Sequence, residues 1–473
     1  MKPLNTLTIE EARKGLDSQQ FSSVQLTQAC LNVIREKEPT LHAFVTVFEK
    51  EALRTAKQAD KTLSTSPASN DQPLLGIPIA LKDNFLTVGQ RTTASSKVLD
   101  QYLPQYDATV TTRLKKAGAI ILGKANMDAW AHGSSTETSA YGPTTNPYSQ
   151  DHLAGGSSGG SAASVASNEI IASIGSETSG SIRQPASWCG VVGFKPTYGR
   201  VSRYGVIAMG SSLDSPGPLT KTVTDAVIMH SVIAGHDQHD ATTSSLDVPN
   251  YLSLLTSDIS GLKIGLPKEY FMSENMPGIN QLVKNATKVL ESRGAELVEI
   301  SLMDPKYSIA DYTILQRSEV SSNLARFDGI RFGNDRTHFG SEAKRRIMLG
   351  TYALSSGYYD AYYKRAQRVR MLLKRDFEKI FNSVDLILAP TAPSTALKVG
   401  DTLNQAMFGE LSDLLLEASS LAGLTGINMP VGFINGLPVG MQLVAPQFQE
   451  QRVFNSALAY EESVNWKEIN YVK

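Results

Sequence analysis

The chain has 473 residues, enough for two or three ordinary domains or for one large α/β unit. Lysine and arginine total 45 against 46 acidic residues, a formal net charge of −1, which excludes a basic face built to grip a phosphate backbone. Apolar residues at 41% and charged residues at 19% are ordinary globular usage and exclude a disordered or fibrous chain.

In chain order, the first 60 residues read as helices. Ser22 or Ser23 can cap a segment in which Leu26, Ala29, Val33 and Ile34 recur at helical spacing, and a second helix is expected near Phe48 to Ala59. Leu63 to Gln72 has the Ser, Thr, Asn and Asp content of a surface loop. Ile77 to Leu81, Ala108 to Lys116 and Ala119 to Gly123 then alternate as strand, helix, strand. Further apolar runs at Leu262 to Leu266, Leu297 to Leu302, Leu386 to Ala389, Ile427 to Val431 and Pro438 to Val444 continue the strand signal, and a long helical block covers Tyr358 to Phe381. Short strands separated by helices predict a sheet covered on both faces. The chain shows neither a solenoid repeat nor a low-complexity tail.

Cys30 and Cys189 are the only cysteines, lie outside any CxxC spacing, and fit a reducing cytoplasm. Met1 to Glu10 is polar where a secretory leader needs an apolar core, and no apolar run reaches the roughly 18 residues of a membrane span. A cytoplasmic protein that neither spans nor enters a membrane is expected.

Between Ala154 and Ser181, 20 of 28 residues are Gly, Ser or Ala. A linker of that composition would stay polar, yet Ile170, Ile171 and Ile174 sit in its middle and read as a buried strand. The small side chains therefore point to close approach of the backbone to something else. Gly155 to Gly159 spells GxSxG, but Asp151 to Ala154 is no apolar strand, so the strand-to-helix elbow of that motif is not supported. GGSSGGS leads toward a helix at Ala162 but lacks the GK[ST] ending of a phosphate loop. HExxH is absent, His236 and His239 read as a helix terminus and solvent loop, and no metal site is expected. Cys189, between Trp188 and Gly190, reads as packing rather than a reactive thiol.

Lys82 follows the strand of Ile77 to Leu81 directly. An ammonium in that crowded interior loses solvation, its pKa falls, and a neutral amine is a usable base. Alone, an exposed strand-end lysine would be the ordinary reading. It does not stand alone: Gly155-Gly156-Ser157-Ser158-Gly159-Gly160-Ser161 is followed by Gly180-Ser181-Ile182-Arg183. On these residues the chain resembles the amidase signature family. The resemblance implies a triad of nucleophile Ser181, bridging Ser157 in a cis peptide, and Lys82, with backbone N–H groups of Thr178, Ser179, Gly180 and Ser181 holding the oxyanion. It implies one α/β amidase signature domain over 1–473 with a central mixed sheet flanked by helices. That domain would have a helical part at 1–62, a signature core at 74–220, and a remainder at 221–473 carrying the substrate-pocket helices. The family's usual Asp-Thr-Gly-Gly-Ser is here Glu177-Thr178-Ser179-Gly180-Ser181; Glu177 is expected to partner nearby backbone or Arg183, and altered tuning rather than loss is expected.

The phrases MDAWAHGSSTETSAYGPTTNP, GFKPTYGRVSRYGVIAMGSSLD, SSNLARFDGIRFG and KRRIMLGTYALSSGYYDAYYKRAQ resemble the branch of that family that supplies glutamine-hydrolysing subunits to tRNA-dependent amidotransferases. This resemblance implies that Arg346 binds the substrate carboxylate, Asp413 the ammonium, and Tyr312 positions the substrate. Their bland alternatives are a solvated helix face, a helix N-terminal residue and a packed aromatic. Arg331 to Ser341 is shorter than in that branch. The implied assembly is a heterotrimer with a tRNA-binding, kinase-like B subunit, which would hold ATP and Mg, and a small C subunit. This chain itself would need no cofactor and no strong nucleic-acid contact. The resemblance implies Glu-tRNA(Gln), Asp-tRNA(Asn) or both as the acceptor served, and a free-standing amidase and a non-catalytic scaffold stay open as alternatives.

Overall fold

The computed structural model describes residues 2–65, 72–330, 333–403 and 407–471. Most of the loop expected over Leu63 to Gln72, and the start of Arg331 to Ser341, lie outside the described residues. Helices α1 (Ile9–Asp17) and α2 (Ser23–Leu41) each open on a capping box, Thr8 with Glu11 and Ser22 with Gln25. Each pair satisfies N–H groups that a first helical turn leaves over, and Ser22 rather than Ser23 is the cap. The all-helical reading of this region is corrected by β1 (Phe44–Val47), which pairs antiparallel with β3 before α3 (Glu49–Thr65) begins.

The expected strand, helix, strand unit follows as β2 (Pro78–Lys82), α4 (Thr109–Lys116) and β3 (Ile120–Ala125), with β2 and β3 parallel. A small hairpin, β4 (Thr145–Asn146) and β5 (Ser149–Leu153), precedes α5 (Gly159–Ala166), β6 (Ala172–Glu177), α6 (Arg183–Cys189), β7 (Val192–Lys195), β8 (Ser215–Thr220) and α7 (Val223–Ile233). The second half runs β9 (Lys263–Pro267), α8 (Ile279–Ser292), β10 (Glu296–Ile300), α9 (Lys306–Leu324), α10 (Ser341–Leu354), α11 (Tyr363–Ile380) and β11 (Leu386–Pro390). Short helices α12 (Phe408–Ser412) and α13 (Glu417–Leu421) then lead to β12 (Thr425–Ile434), β13 (Leu437–Ala445), α14 (Glu450–Ser463) and β14 (Asn470–Tyr471).

Twelve strands among the described residues form one mixed sheet in the order β1-β3-β2-β6-β8-β7-β12-β13-β11-β9-β10, with β14 beside β12. Side chains alternate across a strand, so one strand reports what covers each face. On β11, Leu386 and Leu388 pack with residues of α7, α8 and α14, whereas Ile387 and Ala389 pack with residues of α9, α11 and α13. Helices thus cover both faces, as the alternation of short strands and helices predicted.

The glycine, serine and alanine segment is tightly enclosed. A Cβ on Gly160 would fall 2.4 Å from the Ala43 carbonyl oxygen and 2.6 Å from the Asn126 backbone, and one on Gly175 would fall 2.8 Å from Ser158 Oγ. Ile170 and Ile171 are buried just ahead of β6 and Ile174 lies within it. Close backbone approach, not linker flexibility, explains the composition. The sheet consequently sets the carboxyl ends of β2 and β6 side by side, with Leu81 opposite Ile174 in parallel register.

Candidate active site

Lys82 is the last residue of β2 and is wholly buried. Its Nζ donates to Ser157 Oγ at 2.7 Å and to the Ser176 carbonyl at 3.0 Å, just before the end of β6. Burial lowers its pKa from 10.5 to about 7, against the opposing pull of Asp128, Asp214 and Glu177. Ser157 lies in the loop that opens α5, and the Gly156–Ser157 peptide is cis. The next residue ties this loop to the one after β6, because Ser158 N–H donates to the Ser181 carbonyl at 3.1 Å. Among the described residues no hydrogen bond joins the Ser157 and Ser181 hydroxyls; Ser181 lines a small cavity instead.

The turn from Thr178 to Ser181 joins β6 to α6. Its geometry is fixed from behind by the buried pair expected from the sequence. Glu177 Oε1 accepts from Arg183 Nε at 2.8 Å and Nη2 at 2.6 Å, while Oε2 accepts from the backbone N–H groups of Ile182 and Arg183, each at 3.0 Å. Arg183 also donates to the buried side chains of Gln442, Ser419 and Ser420 and, at longer range, to the Ser179 and Leu416 carbonyls. The backbone N–H groups of Ser179, Gly180 and Ser181 donate to no protein acceptor among the described residues, which is the condition an oxyanion-binding turn has to meet. Ser179 does not adopt a positive φ, so its side chain brings no backbone strain to the turn.

Ser181, Ser179, Tyr312, Arg346, Glu410 and Asp413 share the walls of one cavity. The sequence-derived substrate residues, more than 230 positions from the turn in the case of Asp413, are therefore brought together with the serine. Arg346, on α10, is buried rather than on a solvated face; Asp413 follows the last residue of α12 rather than beginning a helix; Tyr312, on α9, is buried and faces both core and cavity. Arg346 Nε donates to Glu342 at 2.6 Å and its Nη2 lies 3.4 Å from Glu410, which also meets Arg317 at 2.9 Å. Burial alone would lower the Arg346 pKa, but the Glu410 and Glu342 carboxylates hold it above its ordinary value. Burial raises the Asp413 pKa to about 8 although Ser179 and Ser134 donate to it.

Sequence reasoning did not single out Asp128, Ser134, Arg317, Glu342 or Glu410. Glu410 had a readable signal, since it stands three residues before Asp413 and so on the same side of one helical turn. Elsewhere, His236 and His239 are exposed and Cys189 is fully buried, as read from the sequence. Among the described residues there is no group of three or more His, Cys, Asp and Glu placed to hold a metal ion, and no helix long and apolar enough to cross a membrane.

A deeply buried lysine against a cis-peptide serine, beside a serine at an N–H-rich turn on a mixed α/β sheet, defines a serine amidohydrolase class of site. The model of the Amidase family matches residues 25–454. The chain belongs to the amidase family. It is 47% identical to the A subunit of glutamyl-tRNA(Gln) amidotransferase from Carboxydothermus hydrogenoformans, over 97% of this chain and 98% of that protein. Its fold superposes on the crystal structure of the A subunit of glutamyl-tRNA(Gln) amidotransferase from Thermotoga maritima with a TM-score of 0.83 at 40% identity, covering 99% of this chain and 97% of the other. The peptide amidase of Stenotrophomonas maltophilia is similar at 29% identity and a TM-score of 0.83, covering 98% and 97%.

Proposed function

We propose that this chain is the glutaminase subunit of a tRNA-dependent amidotransferase, hydrolysing glutamine and supplying ammonia for the conversion of Glu-tRNA(Gln) to Gln-tRNA(Gln). The observation that carries the reading is the cavity in which Ser181 shares walls with a buried guanidinium, Arg346, and a buried carboxyl, Asp413. Free glutamine presents an α-carboxylate and an α-ammonium, and a guanidinium and a carboxyl group on residues that line one cavity offer each a complementary partner; the fork of Arg346 suits the carboxylate. Near-full-length likeness to proteins named as that subunit supports the same assignment.

The chemistry follows from the groups present. Ser181 Oγ attacks the amide carbon as its proton passes to Ser157, whose own proton moves to neutral Lys82. The oxyanion rests on the N–H groups of the turn from Thr178 to Ser181. Lys82 returns a proton through Ser157 to the leaving nitrogen, ammonia departs, and water cleaves the acyl ester by the same relay. The partner subunits are a tRNA-binding, kinase-like B chain, where ATP and Mg would act, and a small C chain, in a cytoplasmic heterotrimer. A formal net charge of −1 suits a subunit that leaves tRNA to its partner.

The test is Ser181→Ala in the assembled complex. Glutamine-dependent transamidation should be abolished while amidation from added ammonium salt and partner binding persist. Undiminished glutamine use would refute the nucleophile. Rapid release of ammonia from diverse amides by the isolated wild-type chain would favour a free-standing amidase, and failure of Ser181 to be labelled by a glutamine-like electrophile would favour a scaffold.

A further inference from the structure

The carboxyl group of Asp413 is held on one side only. Its Oδ2 accepts from Ser179 Oγ and, at 3.2 Å, from Ser134 Oγ, whereas its Oδ1 is buried without a partner among the described residues. Gly180 presses against that free oxygen: a Cβ there would fall 2.5 Å from Oδ1 and 2.6 Å from Leu416 Cδ1. Asp413 is also among the residues that line the cavity shared with Ser181. Two hydroxyl donors on one oxygen fix the plane of a carboxylate and leave the other oxygen to be satisfied by something else, and a buried oxygen without a partner is costly. Its natural complement is a cationic donor brought by the substrate.

Of the two donors, Ser179 has the special placement. Its own backbone is immobilised, since its carbonyl accepts from Ser420 Oγ at 2.5 Å and from Arg183 Nη2 at 3.3 Å. It also stands two residues before Ser181 on the turn that presents the nucleophile. One residue therefore fixes the distance between the anion that would hold a substrate ammonium and the serine that would attack its amide. We propose that Ser179, through its side-chain hydroxyl, is a positioning residue that aims Asp413 Oδ1 at the α-ammonium of the substrate and so sharpens this pocket's preference for α-amino amides. This inference rests on the reading of glutamine as substrate and adds a determinant of its selection. It is separate from any part the Ser179 N–H takes in oxyanion binding.

The experiment compares glutamine with glutaric acid monoamide, which is glutamine without its α-ammonium. The readout is the ratio of their kcat/KM values, in the complex as purified with its co-assembling subunits. Any change in oxyanion binding affects both amides and cancels in the ratio. Ser179→Ala should lower the ratio about tenfold, the lower end for a hydrogen bond to a charged group. The loss should fall on the KM for glutamine more than on its kcat, and Ser179→Thr, which keeps the hydroxyl, should restore it. Asp413→Asn should lower the ratio as well, and adding Ser179→Ala to it should change the ratio no further, because coupled residues are not additive. A ratio lowered by Asp413→Asn but untouched by Ser179→Ala overturns the role of Ser179 and leaves the glutaminase reading standing. Equal preference of the wild type for both amides, unaltered by Asp413→Asn, overturns this inference and the assignment of Asp413 together. Should Ser179→Ala fail to fold, Ser179→Gly removes the same hydroxyl, and an unchanged ratio there overturns the role of Ser179.

Discussion

Glutamine hydrolysis by this chain should collapse on the acid side of neutrality, because Lys82 can take the Ser157 proton only when uncharged. Burial brings its pKa from 10.5 to about 7. An ordinary lysine would be neutral in about one molecule in 3000 at pH 7; the displaced one is neutral in about half, roughly a thousandfold increase in usable base. The sign follows: protonation inactivates the base, so kcat should rise about tenfold per unit up to about pH 7 and level off above it. Lys82→Met keeps an apolar stem in the same space without a base; it should lower kcat by about 10²- to 10⁴-fold and abolish the limb. The measurement is steady-state ammonia release from about pH 5.5 to about pH 9, with circular dichroism at each pH to show that the fold persists. A wild-type rate independent of pH across that range, or an acid limb that survives in Lys82→Met, would refute the assignment of Lys82 as base.

A second limb should appear in KM. The Asp413 carboxylate forms as the pH rises through about 8, so the KM for glutamine should fall between neutrality and that pH, while an Asp413→Asn enzyme should show a high KM without this dependence. Arg346→Ala should raise the glutamine KM on the order of a hundredfold, as expected for a forked carboxylate contact, with ammonium-dependent amidation spared; equal loss with both nitrogen donors would count against its substrate role. Glu177→Gln breaks a fully buried pair and should cost about 3 kcal/mol or more in denaturant unfolding, together with most of the activity; a change under about 1 kcal/mol would show that the turn is braced by something else. Gly156→Ala would place a Cβ 2.1 Å from Asp128 Oδ2 and 2.7 Å from the Ser135 nitrogen, so Ser157 should be displaced from Lys82 and activity lost; a wild-type rate would show that this wall yields.

What the chain discloses without coordinates depends on how local the cause is. Lys82 was legible because a strand end and a lysine are neighbours in sequence, and the segment Ala154 to Ser181 was legible because close backbone contact leaves a mark on composition. Strand β1 was not, because four half-buried residues between two helices carry too few turns of either period to be told from helix. Strand β8 hid behind Pro216 and Pro218, which argue against a central strand. The sheet admits them because β7 pairs only with Leu219 and Thr220, so where the prolines stand β8 has β6 as its one neighbour and the missing N–H groups need cost no ladder bond.

The pocket chemistry is the opposite case. What surrounds the Asp413 carboxyl is set by Ser134 and Ser179, which lie 279 and 234 positions away along the chain, and the nearby charges by the helices that bring Arg346 and Arg317 to the same oxygen of Glu410. None of those meetings has a period or spacing from which it could be read. Arg346 shows the consequence most sharply. In sequence it belongs to KRRIMLG, where its neighbour Arg345 is exposed and pairs with the same Glu342; only the packing of α10 against α9 separates the surface arginine from the buried one. The contact of Lys82 with Ser157 is thus a property of one strand end and the small-residue loop that opens α5, and the proposed selectivity for one amide is a property of the whole fold.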